Sequence, residues 1–329
     1  MMEFSLGETS STTRVEKDVD LAIIGAGPAG LTAALYGGRS SLKTVVFERA
    51  TVGGQLTLTD RVDNYPGFPE GIGAAELIQR FRQQAERFGA RFIVEEIRRI
   101  EPLPDGTFHL HGMGDEPYHA RAVILATGSK PRTLDVPGEK EFAGRGVSYC
   151  AVCDGPFFKD QPVAVVGGGD AAFEEGLYLA NIVSSVVLIH RRDAFRAAPL
   201  FVEQARNHPK FSFVLNSVVE EIYGDTKVRG IRVRNKATGE VQNIPVEAVF
   251  IFIGHIPNSE LVRDLADLDP RTGAVITDEH MRTRTPGLFA AGDVRRTPIK
   301  QVTTAAGDGT IAVYTAQEYI REVASRRTS

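Results

Sequence analysis

The sequence predicts an α/β protein built from two doubly wound domains, the second inserted in the first. Three observations carry this. A strand–glycine turn–helix unit occurs near the start, at Val19–Ile24, Gly25-x-Gly27-x-x-Gly30 and Leu31–Arg39. The unit recurs at Val163–Val166, Gly167-x-Gly169-x-x-Ala172 and the helical run through Asn181. The step from Gly25 to the end of the next strand, Glu48, equals the step from Gly167 to the corresponding His190. Such a unit, with its second strand ending about 20 residues after the first glycine, is the pattern of a dinucleotide-binding βαβ fold.

Each part of the unit has a physical reason. The first glycine permits a tight bend, the second lets backbone approach a pyrophosphate, and the third lets helix pack on strand. Anionic phosphates then meet the free amides and the positive end of the helix. The first unit runs through Pro28 and Ala29 and continues to the strand Thr44–Phe47, ending at Glu48 and Arg49. A carboxylate at that position suits a free ribose hydroxyl and repels a 2′-phosphate. The second unit runs through Asp170 and Ala171, and its second strand, Val186–Ile189, ends in His190-Arg191-Arg192 with Arg196 one turn later. Guanidiniums there suit a 2′-phosphate through charge-assisted bonds; the competing reading is a solvated basic turn. The first site is therefore assigned to FAD or NAD and the second to NADP(H).

Two further strands close the two sets. Ala122–Ala126 ends in Thr127-Gly128-Ser129, and Ala248–Ile253 ends in Gly254-His255-Ile256-Pro257. The chain thus enters the second domain near Lys130 and leaves it near Pro257, and Leu288–Asp293 returns to the first domain. Expected boundaries are a loosely attached lead-in over 1–17, a first domain over 18–130 and 258–329, and a second over 131–257. Two crossings make a double-stranded hinge suited to rigid rotation. His255 is either near the bound nucleotide or a structural histidine.

The 329 residues carry a net charge of −4, with 42% hydrophobic and 24% charged side chains, an ordinary balance for a soluble protein without a nucleic-acid partner. No apolar run approaches the roughly 18 residues of a membrane span, and the Ser/Thr-rich N-terminus has no signal-peptide core, so a cytoplasmic location is expected. No His/Cys/Asp cluster has metal-ligand spacing.

Only two cysteines occur, in Cys150-Ala151-Val152-Cys153, followed by Asp154-Gly155-Pro156. A C-x-x-C can close a reversible disulfide, and its thiol pKa values are easily lowered. Beside two dinucleotide sites this reads as a redox pair; the alternative is two inert buried cysteines. Asp154 is either the proton shuttle for the leaving thiol or a turn residue, since Asp-Gly-Pro is strong turn chemistry.

These residues, together with Gly53-Gly54-Gln55-Leu56, Asn64-Tyr65-Pro66-Gly67, Ala126-Thr127-Gly128, Gly167-Gly168-Gly169-Asp170, His190-Arg191-Arg192-Asp193, Phe195-Arg196 and Ala291-Gly292-Asp293, resemble the low-molecular-weight thioredoxin reductases of bacteria and plants from about residue 18 to 320. The most diagnostic feature is the cysteine motif inside the second domain. The resemblance implies an NADPH-dependent flavoprotein. Its FAD would lie against Gly25, Gly27, Pro28, Ala29, Gly30, Glu48, Arg49, Gly54, Gln55, Leu56, Asn64, Ala126, Thr127, Gly128, Gly292, Asp293, Lys300, Gln301 and Val302. Its NADPH would lie against Gly167, Gly169, Asp170, Ala171, His190, Arg191, Arg192, Arg196, Ile253 and Gly254.

In that resemblance Asp293 would bond the ribityl chain, Cys153 would take electrons from the flavin, Cys150 would attack the disulfide of thioredoxin, and Asp154 would be the acid/base. Homodimerisation through the FAD domains is implied too, as is alternation between two domain orientations that bring nicotinamide or disulfide to the flavin. One segment departs from the family: its usual Arg-Gln-Ala is Lys300-Gln301-Val302, preceded by Arg295–Ile299 without the usual Tyr. Lys300 keeps the charge but not the planar fork.

Alternatives keep the fold and change a partner: ferredoxin or NADH as donor, a peroxiredoxin-type protein or small dithiol as acceptor. The basic triplet opposes NADH. Peroxiredoxin-coupled reductases carry an added thioredoxin-like module, for which 17 lead-in residues leave no room. A non-catalytic NADP sensor or flavin-bound module is the reading from another class, and the adjacent C-x-x-C opposes it.

Overall fold

The computed structural model of the chain describes residues 17–58 and 61–328. Most of the expected lead-in, residues 1–16, lies outside them. Lys17 is held by two bonds: its carbonyl accepts from the His119 amide at 2.7 Å, and its Nζ donates to the Glu116 carbonyl at 2.6 Å.

Two sheets form the framework, as the repeated unit predicts. The first has seven strands. In spatial order they are Arg91–Val94, Thr44–Glu48, Asp18–Ile24, Tyr118–Leu125, Phe108–His111 and Arg99–Pro102, with Leu288–Ala290 also pairing with Tyr118–Leu125. The four strands carrying the glycine turn and its neighbours run parallel, and so does Leu288–Ala290, while the last two of the series form an antiparallel ribbon. The second sheet has five strands, all parallel: Val147–Ser148, Ala248–Phe252, Pro162–Gly167, Ser185–Ile189 and Phe211–Val214.

Parallel strands covered on both faces read as unbroken apolar runs rather than alternating ones. Ala248–Phe252 (AVFIF) shows this, being buried at every position. Alternation still sorts the side chains by face. In Asp18–Ile24, Leu21 and Ile23 join the cluster that includes Ala33, Ala312 and Ala316 of the covering helices, whereas Ala22 and Ile24 join Phe47, Phe108 and Leu110 on the opposite side.

The covering helices on the first sheet include Pro28–Arg39 and Val302–Thr328, and on the second Asp170–Ala180 and Pro199–Asn207. A three-stranded antiparallel meander, Ser217–Gly224, Val228–Asn235 and Val241–Pro245, packs its Val219, Ile222, Ile231 and Val233 on the other face of the second sheet.

The two crossings between the sheets are themselves paired. Ser129–Pro131 and His255–Pro257 make a two-stranded antiparallel ribbon. Thr127 Oγ1 donates to the Asn258 carbonyl at 2.7 Å, and Asn258 Nδ2 donates back to the Thr127 carbonyl at 2.8 Å.

Candidate active site

At the first glycine turn the chain must bend through φ +105° at Gly25, a region that glycine adopts at little cost. Its amide donates to the Phe47 carbonyl at 2.8 Å, which ties the turn to the neighbouring strand. A Cβ on Gly30 would overlap the Gly25 carbonyl oxygen, so helix and strand meet there at backbone contact. Gly27 differs: the nearest atom to a Cβ there is the Gly54 Cα, 3.9 Å away. Gly27 caps the helix Pro28–Arg39 without a side-chain bond, and Pro28 stands in its first turn. The first amides, at Ala29 and Gly30, are therefore presented to an anion. Glu48 lies against the turn, with Oε2 accepting from Ala26 at 2.9 Å and Oε1 from Ala50 at 3.1 Å. Arg49 beside it is exposed.

Other expected residues converge on the same ends of the strands. The 3-10 helix Gly54–Leu58 sets Gly54 opposite Gly27 and Gln55 against the crossing, where Gln55 Nε2 donates to the Ser129 carbonyl at 2.5 Å. Leu56 is buried beneath it. Ala126, Thr127 and Gly128 follow the strand Tyr118–Leu125 directly. Asn64 Nδ2 donates to Gln301 Oε1 at 3.0 Å, joining two segments 237 positions apart. Lys300 Nζ donates to the Asp293 carbonyl at 2.7 Å, and Val302 begins the last helix. Burial pushes the Asp293 carboxyl up and the Lys300 amine down, in each case against their mutual attraction.

Behind them Asp308 Oδ2 accepts from the Gly292 amide at 3.0 Å and lies 3.3 Å from Arg295 Nε. Burial raises the Asp308 pKa against the pull of Arg295 and that amide. This support from Asp308 left no signal in the sequence beyond a polar residue in a helical run. A cradle that a Cβ on Gly27 would narrow, uncapped helix amides, and a carboxylate at the strand end together fit an adenine dinucleotide with an unphosphorylated ribose.

The second turn repeats the logic with a different lip. A Cβ on Gly167 would lie 2.5 Å from the Phe252 carbonyl oxygen and 2.6 Å from Ala172 Cβ, whereas at Gly169 no atom lies within 4 Å. Gly169 also caps its helix, Asp170–Ala180, without a side-chain bond. The basic segment folds back over this turn. The Arg196 amide donates to the Gly168 carbonyl at 2.8 Å, the Ala198 amide to Asp170 Oδ1 at 2.7 Å, and His190 Nε2–H to the Ala194 carbonyl at 3.1 Å.

Phe195 anchors the segment, edge-on to the fully buried Phe173 with ring centres 4.8 Å apart. Arg191, Arg192 and Arg196 are left exposed beside the turn, and Ala171 is exposed at the helix start. Burial holds the His190 pKa below the usual imidazole value, with the two neighbouring arginines adding to the effect. Ile253 and Gly254 follow the strand Ala248–Phe252 and lead into the crossing, where the Gly254 carbonyl accepts from the Arg132 amide at 2.9 Å. His255, in that ribbon, is lowered by burial and by Lys300.

Cys150 and Cys153 are disulfide-bonded, with Cα atoms 5.3 Å apart. Cys150 precedes and Cys153 lies within the one-turn helix Ala151–Asp154, which follows the short strand Val147–Ser148 at the edge of the second sheet. Cys150 is its cap: Sγ accepts from the Cys153 amide at 3.2 Å. Ser148, 4% exposed, bonds both ends of this turn. Its Oγ accepts from the Cys150 amide at 3.1 Å and donates to Asp154 Oδ2 at 2.6 Å. Glu175, on the helix of the second glycine turn, accepts the Ala151 amide on Oε2 at 3.1 Å. Sequence reasoning passed over Ser148 and Glu175, because a serine and a glutamate carry no motif of their own. Among the described residues no group of three His, Cys, Asp or Glu is placed to hold a metal ion, and no helix is long and apolar enough to cross a membrane.

Two glycine-turn sheets with a disulfide at the edge of the second define a pyridine nucleotide-disulphide oxidoreductase, and the profile of that family matches residues 19–309. The chain is thus a flavin-dependent disulfide oxidoreductase that uses FAD and NADPH. Within the class it belongs to the thioredoxin reductase family. It is 45% identical over 309 residues to the thioredoxin reductase of Listeria monocytogenes, covering 94% of this chain and 96% of that one. It superposes on the crystal structure of thioredoxin reductase from Streptococcus pyogenes with a TM-score of 0.87 at 42% identity, over 93% of this chain and 99% of that one. Against the Lactococcus lactis thioredoxin reductase in its FR conformation the TM-score is 0.64, also at 42% identity, over 92% and 99%.

Proposed function

We propose that the chain reduces the disulfide of a thioredoxin with electrons from NADPH, through FAD and the Cys150–Cys153 pair. The observation that carries this is the reversible-disulfide motif set beside the second glycine turn, with an acid, Asp154, in the same helical turn. In this reading residues 18–130 and 258–329 form the FAD domain and 131–257 the domain for NADPH and the cysteines. FAD supplies the two-electron relay between nicotinamide and disulfide. The protein's share is to hold and orient.

Gly25–Gly30 and Glu48 take the adenosine and pyrophosphate of FAD. Gln55, Asn64, Asp293, Lys300 and Gln301 line the remainder of its site. Gly167–Ala171 and the exposed arginines 191, 192 and 196 take NADPH, with the 2′-phosphate on the guanidiniums. Cys150 is the attacking thiol, Cys153 faces the flavin, and Asp154 moves the proton. Hydride transfer needs reacting atoms about 3–3.5 Å apart. Nicotinamide and cysteines belong to one domain, so rotation on the paired crossings would present them in turn.

A homodimer through the FAD domains is part of this reading. It is supported by Ile311 and Tyr314, apolar side chains exposed on the last helix. The cytoplasm, a reducing compartment, suits a disulfide that must cycle.

The decisive experiment is an anaerobic titration of the yellow protein with NADPH, with Cys150→Ser in parallel. Uptake of more than one two-electron equivalent by the wild type, and one fewer by the variant, supports the assignment. A flavin that NADPH does not bleach would overturn the donor and favour ferredoxin. Activity with a thioredoxin then tests the acceptor.

A further inference from the structure

The cysteine turn is held from two sides. Ser148 supports it within its own segment; Glu175 reaches it from the nucleotide-turn helix Asp170–Ala180. We propose that Glu175 is a positioning residue for disulfide–dithiol exchange, fixing the backbone at Ala151–Val152 and setting a negative charge on the amides of the cysteine turn that makes the pair a stronger reductant. This rests on the reading that Cys150–Cys153 is the exchanging disulfide.

The geometry is specific. A one-turn helix has few amides for an anion, and all are spoken for. Asp154 donates to the Cys150 carbonyl at 3.1 Å and Cys153 to Cys150 Sγ at 3.2 Å. Ala151 donates to Glu175 Oε2 at 3.1 Å, and the same carboxylate takes the Val152 amide. The adjacent Glu174 is exposed, whereas Glu175 is half-buried and turned to the cysteine turn. Burial raises its pKa, and the Ala151 and Val152 amides pull the other way by favouring the charged form.

The consequence follows from charge. Reduction of the pair takes two electrons, with two protons where it yields two thiols and with one where Cys150 is left as the thiolate, so any stabilisation of that thiolate favours the reduced pair. The Cys150 thiolate then attacks a partner disulfide, forming a mixed disulfide and releasing a partner thiolate, and Cys153 closes the ring and releases the second. A low thiol pKa arises where helix amides and cations surround sulfur. Here a carboxylate occupies the two leading amides, withholds them from the Cys150 thiolate and repels it. The disulfide state carries no sulfur charge and is indifferent to this repulsion. By disfavouring the ionised form of the reduced pair, Glu175 shifts the balance from dithiol toward disulfide, which is what a donor of electrons requires, while it keeps the turn in register for attack.

The test uses the flavin-loaded enzyme equilibrated in dithiothreitol redox buffers, acid-quenched, with reduced Cys150 and Cys153 counted by alkylation and mass. Glu175→Gln keeps an acceptor for the amides and removes the charge. It should shift the dithiol/disulfide equilibrium toward dithiol at least threefold and speed iodoacetamide modification of the reduced enzyme at neutral pH to a similar degree. Glu175→Ala, which also frees the amides, should shift the equilibrium further. An unchanged equilibrium in both variants overturns the inference, even if thermal stability falls, because loss of a purely structural contact lowers stability without moving the equilibrium. Failure of wild-type enzyme to yield alkylatable cysteines under full reduction would instead strike the underlying reading of the pair.

Discussion

Ser148 Oγ donates to Asp154 Oδ2 at 2.6 Å while accepting from the Cys150 amide at 3.1 Å, so one buried hydroxyl spans the acid and the first cysteine. A hydrogen bond to a charged partner is worth about 1.5–3 kcal/mol. Ser148→Ala releases the carboxylate to other rotamers without touching either nucleotide turn. Turnover with thioredoxin should fall about tenfold, the equivalent of about 1.4 kcal/mol, whereas the rate of flavin bleaching by NADPH in a stopped-flow half-reaction should hold. Equal loss in both steps would remove Ser148 from the disulfide chemistry.

The glycines of the first turn should separate by function. Gly30→Val drives a side chain into the Gly25 carbonyl, a backbone atom that has nowhere to go, and overpacking of this kind destabilises by about 1–3 kcal/mol. Gly27→Val meets only the Gly54 Cα at 3.9 Å and keeps an ordinary extended backbone at φ −76°. It should fold within about 1 kcal/mol of wild type and yet purify with little flavin, because the added methyls fill the phosphate cradle. Urea denaturation with flavin quantification distinguishes the two; a Gly27→Val enzyme with full flavin content would place the pyrophosphate elsewhere.

Both glycine turns were legible because their constraint falls on residue type. Only glycine fits where backbone meets backbone, so Gly25, Gly30 and Gly167 announce themselves, and Glu48 and His190 follow at fixed reach. The cysteine pair was legible for the same reason, its chemistry residing in the side chain. What escaped depends on which way an ordinary residue turns. Glu174 and Glu175 are identical in kind, and only the packing of Asp170–Ala180 on the cysteine turn decides which is buried. Ser148 occupies a two-residue strand too short to show a period. The pairing of Ser129–Pro131 with His255–Pro257 joins segments far apart in sequence, so nothing local encodes it. The meander strand Val228–Asn235 intersperses buried with exposed positions, but its place beneath the second sheet follows from the shape of the whole domain.

His190 gives the NADPH segment a pH dependence whose sign can be worked out. Its folded pKa is depressed, by burial first, so the folded state favours neutral imidazole. The stability this contributes is fully present above the unfolded value near 6.5 and is lost as pH falls through the lower folded pKa. Wild-type protein should therefore lose stability below about pH 6.5 more steeply than His190→Gln, whose amide can still donate toward the Ala194 carbonyl. Melting temperature across pH 5 to 8 checks this, and parallel curves for the two proteins would contradict it.

In the proposed function the exposed arginines carry the choice of nicotinamide cofactor. Arg191 and Arg192 extend from a turn pinned by Phe195 against Phe173 and by the Arg196 and Ala198 amides against the glycine turn, so their backbone is set before any ligand arrives. A preset fork loses little on binding, which favours bidentate bonds to a 2′-phosphate. Replacing both with glutamine removes two charge-assisted bonds, each about 1.5–3 kcal/mol. KM for NADPH should rise at least tenfold. KM for NADH, which has no phosphate to lose, should stay within about twofold, and kcat with saturating NADPH should hold because the reacting ring lies far from the change. Both side chains are solvent-exposed, so the melting temperature should not move. An unchanged KM for NADPH would reduce these arginines to a solvated basic turn and reopen the question of the donor.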